Sequence, residues 1–366
     1  MSAVKAAVLA QFGQPLALRE YPDIKDVHPG EVLVRVEMAG ICGTDVHLWL
    51  GQLPIPVPVI LGHETSGRIE KLGTGLERDW RDEPLRVGDR VAWASSIACG
   101  ECFYCRLKAQ PTRCVSRKAY GISYCADEAP HLRGGYAEKI LLRPGTALFR
   151  LPDSLPTESL VGAGCALTTA IHGIERCPLA WGDTVVIQGA GPVGLACLAV
   201  SLEAGAARVI VIGGPPHRLE LARNFGAHVT IDIGSESRVE ERRKHVLDET
   251  GGYGADVVIE CVGHPDAVAE GMELCRDGGK FLVLGQYGNA GNVSLNPHII
   301  TRKQLQMVGS WGFEPRHVDR AISLLDRTDW KNQFASQITH RFPLADADLA
   351  LQTVRELRSG KAVIVP

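Results

Sequence analysis

The segment from Thr184 to Ile212 constrains the fold of this chain more than any other. An apolar run at 184–188 leads into Gly-Ala-Gly-Pro-Val-Gly at 189–194, an apolar stretch of helical length follows, and a second apolar run covers 208–212. This order is typical of a strand, a helix and a second, parallel strand. A lone glycine motif is weak evidence, but its place between a strand and a helix predicts a doubly wound α/β sheet of the Rossmann type.

The glycines of this turn have separate physical roles in binding a dinucleotide. Gly189 permits the tight turn, Gly191 lets the backbone approach a pyrophosphate, and Gly194 lets the helix lie close to the strand. The N-terminus of the helix, with Pro192 and Val193, would face the phosphates. We therefore predict a dinucleotide site at this turn.

The end of the second strand departs from the usual dinucleotide pattern. Gly213 stands where a carboxylate normally binds the adenosine ribose. Its absence lifts the main barrier to a 2′-phosphate, yet the nearest basic side chain that follows is Arg218. The sequence leaves NAD and NADP both open, and we favour NAD.

Alternating strand and helix patterns continue to about residue 308. Strands are expected in GADVVIECVG and GGKFLVLGQYG, so Val262, Gly263, Leu284 and Gly285 lie at strand ends. Ligands of open α/β sheets bind at the carboxyl ends of the strands. We predict that these four residues contact a nicotinamide.

Four closely spaced cysteines form the most specific motif of the chain: Cys99, Cys102, Cys105 and Cys114. Four thiolates within 16 residues fit a closed tetrahedral zinc site, which has a structural role because it leaves no open position. An iron–sulfur cluster is the alternative, but the ferredoxin pattern places its fourth cysteine sooner and follows it with proline.

A second cluster of chemically active residues occupies positions 42–64. A thiolate and an imidazole are ligands that zinc prefers, and a hydroxyl and a second imidazole two and five residues after the thiolate could carry a proton away. A single Cys or His is more often an inert core residue. The combination points to a catalytic metal site that includes Cys42, Thr44, Asp45, His47, His63 and Glu64.

Composition excludes several other classes of protein. A length of 366 residues suits two domains, and a net charge of −3 gives no electrostatic case for nucleic acid or an anionic membrane surface. No run of about 18 apolar residues is present, and the N-terminus lacks the apolar core of a signal peptide. The 11 cysteines are therefore expected to be reduced or metal-bound in a cytoplasmic protein.

Together these motifs are similar to those of the zinc-dependent medium-chain alcohol dehydrogenases, over essentially the whole chain. The resemblance rests on Gly-His-Glu at 62–64, Cys-Gly-Thr-Asp-x-His at 42–47, the four cysteines and the glycine turn. It implies a GroES-like β-rich catalytic domain at 1–160 with both zinc sites and a Rossmann domain at 161–308. It also implies a C-terminal segment, 309–366, that returns to the catalytic domain.

The resemblance also implies a role for each residue of the metal site. Cys42, His63 and Cys165 match ligands of the catalytic zinc, and Glu64 matches a carboxylate that is either a direct ligand or close to the metal. Asp45 matches a group that orients the histidine ligand.

Further positions match the proton relay and the cofactor contacts of that family. Thr44 and His47 match the relay that runs through the cofactor ribose, and Thr169 matches a residue beside the nicotinamide. Ile364 departs from the pattern, because many members have there a basic residue that contacts the cofactor phosphates.

The predicted activity is hydride transfer between an alcohol or carbonyl compound and NAD(P), with two zinc ions per chain. Trp49, Leu50, Trp93 and Ile97 are predicted to form a hydrophobic pocket, which favours a hydrophobic alcohol over a polyol. Short phrases such as GQYGNAG resemble a bacterial branch that includes dehydrogenases of bulky cyclic secondary alcohols, and this resemblance implies a secondary, cyclic substrate.

Three alternatives are weighed against this activity. Polyol and amino-alcohol dehydrogenases tend to have Glu where this chain has Cys165. Zinc-independent reductases of the same superfamily usually lack the zinc ligands. A non-enzymatic zinc-stabilised binding module would not need a relay of Thr44 and His47. In the family a strand like that expected at 292–300 pairs between subunits, so we expect a homodimer or homotetramer.

Overall fold

The computed structural model describes residues 3–366 and divides into two compact units. The first comprises the residues up to Cys165 together with Glu314–Pro366, and the second is Ala166–Phe313. Both divisions lie five residues beyond the boundaries expected at 160/161 and 308/309. The second difference has a simple cause, because a strand at Gln306–Gly309 belongs to the sheet of the second unit.

The strands follow the chain in this order: β1 (Ala3–Leu9), β2 (Ala17–Pro22), β3 (Val32–Gly40), β4 (Val59–Ile60), β5 (Glu64–Leu72), β6 (Arg90–Trp93), β7 (Ser96–Ile97), β8 (Lys118–Ala119), β9 (Lys139–Leu142), β10 (Leu148–Arg150), β11 (Thr184–Gln188), β12 (Arg208–Gly213), β13 (Val229–Asp232), β14 (Ala255–Glu260), β15 (Cys275–Val283), β16 (Gln306–Gly309), β17 (Ile338–Pro343) and β18 (Lys361–Val365).

The α-helices are α1 (Gly43–Trp49), α2 (Thr157–Arg176), α3 (Pro192–Glu203), α4 (Pro216–Asn224), α5 (Val239–Glu249), α6 (Pro265–Leu274), α7 (His298–Arg302), α8 (Pro315–Arg327), α9 (Trp330–Ser336) and α10 (Ala347–Arg355). Short turns of other helix types cover Phe103–Leu107, Pro111–Arg113 and Leu344–Asp346. Among residues 3–366, no helix combines the length and apolar character needed to cross a membrane.

The first unit is built mainly from antiparallel strands. A small sheet has the order β2-β1-β4, and a larger one has the order β10-β6-β5-β3-β18-β17, with β9 also on β3. The C-terminal strand β18 pairs antiparallel with β3, where Val363 lies opposite Gly40. This register brings the last residues of the chain beside the strand that leads to Cys42.

The second unit is a six-stranded parallel sheet with the order β13-β12-β11-β14-β15-β16. Its central strands read as continuous apolar runs because helices cover both faces of such a sheet; Val185, Val186 and Ile187 of β11 are all fully buried. The predicted fold class, a doubly wound α/β sheet together with a β-rich unit, is confirmed.

The strand expected at 292–300 is absent from the described single chain. Residues 292–297 form no backbone ladder and are mostly exposed, and Pro297 caps helix α7. Proline has no amide hydrogen and cannot continue a ladder, which favours the helix start there. Pairing of this segment between subunits remains a prediction.

A buried carboxylate joins the ends of two strands of the second unit. Glu260, the last residue of β14, has no exposed surface. Its Oε1 accepts hydrogen bonds from the amides of Val262 and Gly263, each 2.7 Å long, and its Oε2 accepts one of 3.2 Å from the amide of Gly285. One side chain therefore fixes both loops that were predicted to contact a nicotinamide.

Replacing Glu260 by Ala should loosen these two loops. Hydrogen bonds to charged groups contribute about 1.5–3 kcal/mol each, and the variant leaves three amides without this acceptor. We expect faster amide hydrogen exchange in peptides covering 261–263 and 284–286, measured by mass spectrometry. Glu240→Ala, an exposed position on α5, is the matched control. Unchanged exchange in both peptides would contradict this role of Glu260.

Candidate active site

Helix α1 begins at the predicted metal site. Cys42 is its N-cap, and the Cys42 sulfur accepts a hydrogen bond of 3.5 Å from the amide of Thr44. The Asp45 carboxylate in turn accepts one of 2.9 Å from the amide of Cys42. This reciprocal capping box satisfies two amides that a helix start otherwise leaves without partners. The residues that start the helix are thus also those predicted to do chemistry.

Asp45 also fixes the ring of His63. Its carboxylate is fully buried, and Oδ1 lies 3.1 Å from His63 Nδ1. An ionised carboxylate only accepts, so Nδ1 donates and the lone pair of Nε2 is free to bind a metal. This geometry is what the predicted orienting role of Asp45 requires.

Four candidate ligand atoms converge, one each from Cys42, His63, Glu64 and Cys165, all within 4.8 Å of one another. The two sulfurs are 3.5 Å apart, and two zinc–sulfur bonds of about 2.3 Å at a tetrahedral angle would place them about 3.8 Å apart. The Cys165 thiol lowers the pKa of Cys42 to about 5, which favours the thiolate that binds metal. The donor set and its spacing therefore fit zinc.

A kink in helix α2 brings Cys165 to this site. Gly164 has φ 51° and ψ −152° within the helix, a conformation that interrupts the helical hydrogen bonds. The amide of Cys165 donates instead to Glu64 Oε1, over 2.7 Å. The backbone conformation of Gly164 therefore helps to position Cys165, the third predicted ligand.

The second oxygen of Glu64 is also occupied. Its Oε2 accepts a hydrogen bond from the ammonium group of Lys361, at the start of β18, and both side chains are 1% exposed. Sequence reasoning missed Lys361 because its partner lies 297 residues away. A lysine opening the apolar run 362–365 was the available signal.

The two relay candidates occupy one face of α1, three residues apart. Thr44 is half-buried, and His47 is exposed. His47 Nδ1 lies 2.5 Å from the amide oxygen of Gln52, a residue that sequence reasoning did not select. An amide oxygen only accepts, so Nδ1 carries a hydrogen and Nε2 is left as the base.

The four-cysteine segment also has the geometry of a metal site. The ligand atoms of Cys99, Cys102, Cys105 and Cys114 all lie within 4.8 Å of one another. The amides of Cys99 and Cys102 donate to the sulfurs of Cys114 and Cys99, over 3.2 and 3.4 Å. Such hydrogen bonds stabilise thiolates, so the set fits the closed tetrahedral site that was predicted.

Two glycines of the turn in the second unit have different roles, one in packing and one in leaving space for a ligand. A Cβ on Gly194 would lie 1.8 Å from the carbonyl oxygen of Gly189, so the approach of helix to strand requires glycine there. A Cβ on Gly191 would meet, within 4 Å in the described chain, Arg218 Nη1 at 3.7 Å. Gly191 therefore leaves space in front of the turn, at the N-cap of α3, for a ligand.

The other predicted cofactor contacts lie in the same unit. Val262 and Gly263 follow β14, Leu284 and Gly285 follow β15, and Glu260 holds the two loops together. Thr169 is half-buried on α2. Pro192 and Val193 form the first turn of α3, as predicted. A Cβ on Gly213 would lie 2.7 Å from the amide nitrogen of Ala190.

The hydrophobic pocket predicted from four apolar residues is not supported. Trp49 is 5% exposed, donates to the carbonyl oxygen of Gln14, and packs with Leu50 in one core cluster. Trp93 and Ile97 pack in a different cluster. Nearness in sequence to the metal ligands did not predict which side chains line one pocket. Trp49 and Leu50 pack in one part of the core, and Trp93 and Ile97 pack in another.

Comparison with known proteins places the chain in a family. Residues 28–153 match the family model described as alcohol dehydrogenase GroES-like domain, and residues 192–327 match the model described as zinc-binding dehydrogenase. The 5-exo-hydroxycamphor dehydrogenase of Pseudomonas putida is 37% identical, over 100% of this chain and 99% of the relative. The L-threonine 3-dehydrogenase of Bacillus subtilis (strain 168) is 33% identical, over 97% and 96%.

A solved structure gives the same result. The crystal structure of an alcohol dehydrogenase from Thermotoga maritima superposes with a TM-score of 0.95 at 38% identity, covering 100% of both chains. With two cysteine-rich groups of the right chemistry and a dinucleotide turn in place, this chain belongs to the zinc-dependent alcohol dehydrogenases of the medium-chain family and is an alcohol oxidoreductase with zinc and a nicotinamide dinucleotide as cofactors.

Proposed function

We propose that this enzyme interconverts a hydrophobic, cyclic secondary alcohol and its ketone, with NAD as the preferred dinucleotide. The observation that carries the proposal is the convergence of Cys42, His63 and Cys165 next to Thr44, the hydroxyl at the start of α1. Three protein ligands with a fourth position open to substrate are typical of catalytic zinc sites. The four-cysteine group would hold a second, structural zinc.

The chain's residues would hold two groups that supply the reactive chemistry. Cys42, His63 and Cys165 would hold a zinc ion, which would supply Lewis acidity toward the alcohol hydroxyl, and the glycine turn would hold the dinucleotide, which would supply the hydride acceptor. The chain supplies the positioning: Asp45 holds the ring of His63, and the capping box holds Cys42. The Thr44 hydroxyl would accept the proton of the alcohol, and His47 would release it to water through Nε2.

The substrate class rests on the relatives. The name of one relative includes 5-exo-hydroxycamphor, which is a bulky cyclic secondary alcohol. The name of another includes L-threonine, which is a polar amino alcohol, so amino alcohols are the second candidate class of substrate. Cys165, where polyol dehydrogenases tend to have Glu, favours the first class.

A carboxylate on a neighbouring strand supports NAD. Asp232 ends β13, and its Oδ1 lies 3.7 Å from the position that a Cβ on Gly214 would take. It thus lies near the end of β12, where a carboxylate usually binds the adenosine ribose. A negative charge there disfavours the 2′-phosphate of NADP. Arg218, near the second glycine of the turn, would then serve the pyrophosphate.

Initial rates with a panel of alcohols test the proposal. We expect kcat/KM for cyclic secondary alcohols to exceed that for sorbitol and for L-threonine at least tenfold, and NAD to exceed NADP by a similar factor. Metal analysis should find about two zinc ions per chain, and removal of the catalytic ion by a chelator should abolish activity until zinc is restored. No rate with any alcohol or ketone in fully loaded protein would refute the proposal.

The relay predicts a defined effect of Thr44. Thr44→Val should lower kcat about 100-fold with unchanged zinc content, because general acid–base catalysis contributes 10²–10⁴-fold. Thr44→Ser retains a hydroxyl and should remain within about tenfold of the original kcat. Equal rates for the Val and Ser variants would show that the hydroxyl carries no proton.

We also infer that the chain self-associates through the edge of its six-stranded sheet. Strand β16 is the last strand of that sheet, and Met307 on it is 41% exposed. An edge strand with exposed apolar side chains favours pairing with a second copy. Leu295, in the segment that precedes β16 in the chain, is also 37% exposed.

Light scattering should therefore give a mass of two or four chains. Met307→Glu should shift the protein toward the monomer, because a charge at the pairing edge would be buried. Val239→Glu, at another apolar position of similar exposure on α5, is the control and should leave the mass unchanged. A monomeric original protein would contradict the inference.

A further inference from the structure

The buried ion pair of Glu64 and Lys361 calls for an explanation beyond stability. Each side chain is 1% exposed. The three residues that follow Lys361 on β18, Ala362, Val363 and Ile364, are apolar and buried. Replacing buried ion pairs by apolar residues is often neutral or stabilising, so folding alone does not favour a lysine here.

Lys361 lies beside the group of candidate metal ligands. Its ammonium group donates to Glu64 Oε2, while the amide of Cys165 donates to Glu64 Oε1. The Glu64 carboxylate is therefore held between a segment that carries a candidate ligand and the start of β18.

Two glycines make room for the pair and fix its position. A Cβ on Gly40 would lie 2.8 Å from Glu64 Oε2 and 3.1 Å from Lys361 Cε. A Cβ on Gly164 would lie 2.3 Å from Glu64 Oε1 and 3.0 Å from Lys361 Nζ. The backbone thus approaches the pair closely from two sides, which leaves the carboxylate little freedom to turn.

The position and the chemistry of Glu64 both favour binding to the metal. It follows the ligand His63 directly, and one of its oxygens belongs to the group of four atoms within 4.8 Å of one another. A carboxylate binds zinc at about 2.0–2.2 Å. A fourth protein ligand would close the site, as in structural zinc sites. Both of its oxygens, however, already accept hydrogen bonds, from Cys165 and Lys361.

We propose that Lys361 is a positioning residue that holds the Glu64 carboxylate outside the coordination sphere of the catalytic zinc and so keeps the fourth position open for the alcohol. The inference rests on the proposed function of this metal site. It assigns a role to the C-terminal strand: β18 delivers the cation that keeps the site catalytic rather than closed.

The test uses the enzyme with Co²⁺ in place of the catalytic zinc, since the absorption bands of Co²⁺ report its ligands. Imidazole, a small neutral ligand, measures access to the fourth position. In Lys361→Met the released carboxylate should occupy that position, so the bands should shift and the Kd of imidazole should rise at least tenfold. The double variant Lys361→Met/Glu64→Gln should restore both to within about twofold.

A second buried lysine provides the matched control. Lys303 is 5% exposed and donates to the carbonyl oxygens of Met272, Glu273 and Cys275, in the other unit. Lys303→Met should leave the bands and the imidazole Kd unchanged even where it lowers stability. A fully loaded Lys361→Met variant with the original bands and imidazole affinity would overturn the inference, as would failure of the double variant to restore them.

Glu64→Gln alone keeps the inference testable if Lys361→Met does not fold. If Lys361 holds the carboxylate away from the metal, this variant should keep the original bands and imidazole Kd. A Kd at least tenfold lower would mean that Glu64 is a ligand in spite of Lys361, and would overturn the inference alone. If the original protein binds no metal at Cys42, His63 and Cys165, the proposed function fails together with this inference.

Discussion

The ion pair between Glu64 and Lys361 is the interaction on which the metal site of the first unit depends. It joins the start of β5, the start of β18 and, through the Cys165 amide, the kink of helix α2. Breaking a buried pair costs about 3–5 kcal/mol because a charge is left without compensation, although forming the pair gains little. Any arrangement that separates the three segments breaks the ion pair and costs this free energy. The three segments, and the ligands that they carry, are therefore held in one arrangement.

The same device recurs in both units. Asp45, Glu64 and Glu260 are buried carboxylates that accept hydrogen bonds from backbone amides. Each ties together chain segments that are not consecutive parts of one helix or strand, and each adjoins residues predicted to bind a ligand. A backbone amide has a fixed position, so a carboxylate that accepts its hydrogen bond is also fixed in position. Such preorganisation lowers the free-energy cost of ordering the protein when a ligand binds.

Local patterns in the sequence were sufficient for the features that depend on local geometry. The four cysteines at 99–114 and the glycine turn at 189–194 are each built from one short stretch, so their spacing already describes the site. Glu260, which accepts a hydrogen bond from an amide 25 residues away, and Lys361 could not be found in this way. Lys361 acts across 297 residues, and its register depends on the pairing of β18 with β3. The pocket expected from Trp49 and Trp93 failed for the same reason, because packing between distant segments assigned them to different core clusters.

The glycine at the end of β12, where a carboxylate was expected, has a backbone reason. A Cβ on Gly213 would lie within 2.7–2.9 Å of Ala190 in the glycine turn, closer than a side chain can approach without displacing that turn. Glycine at 213 is thus a condition for this turn to lie as close to the strand end as it does. Asp232, the carboxylate proposed for the ribose, is paired in register with Gly213 on the next strand. Loss of an expected residue at one position is therefore weak evidence for loss of its function, because a parallel sheet aligns the ends of neighbouring strands at one edge.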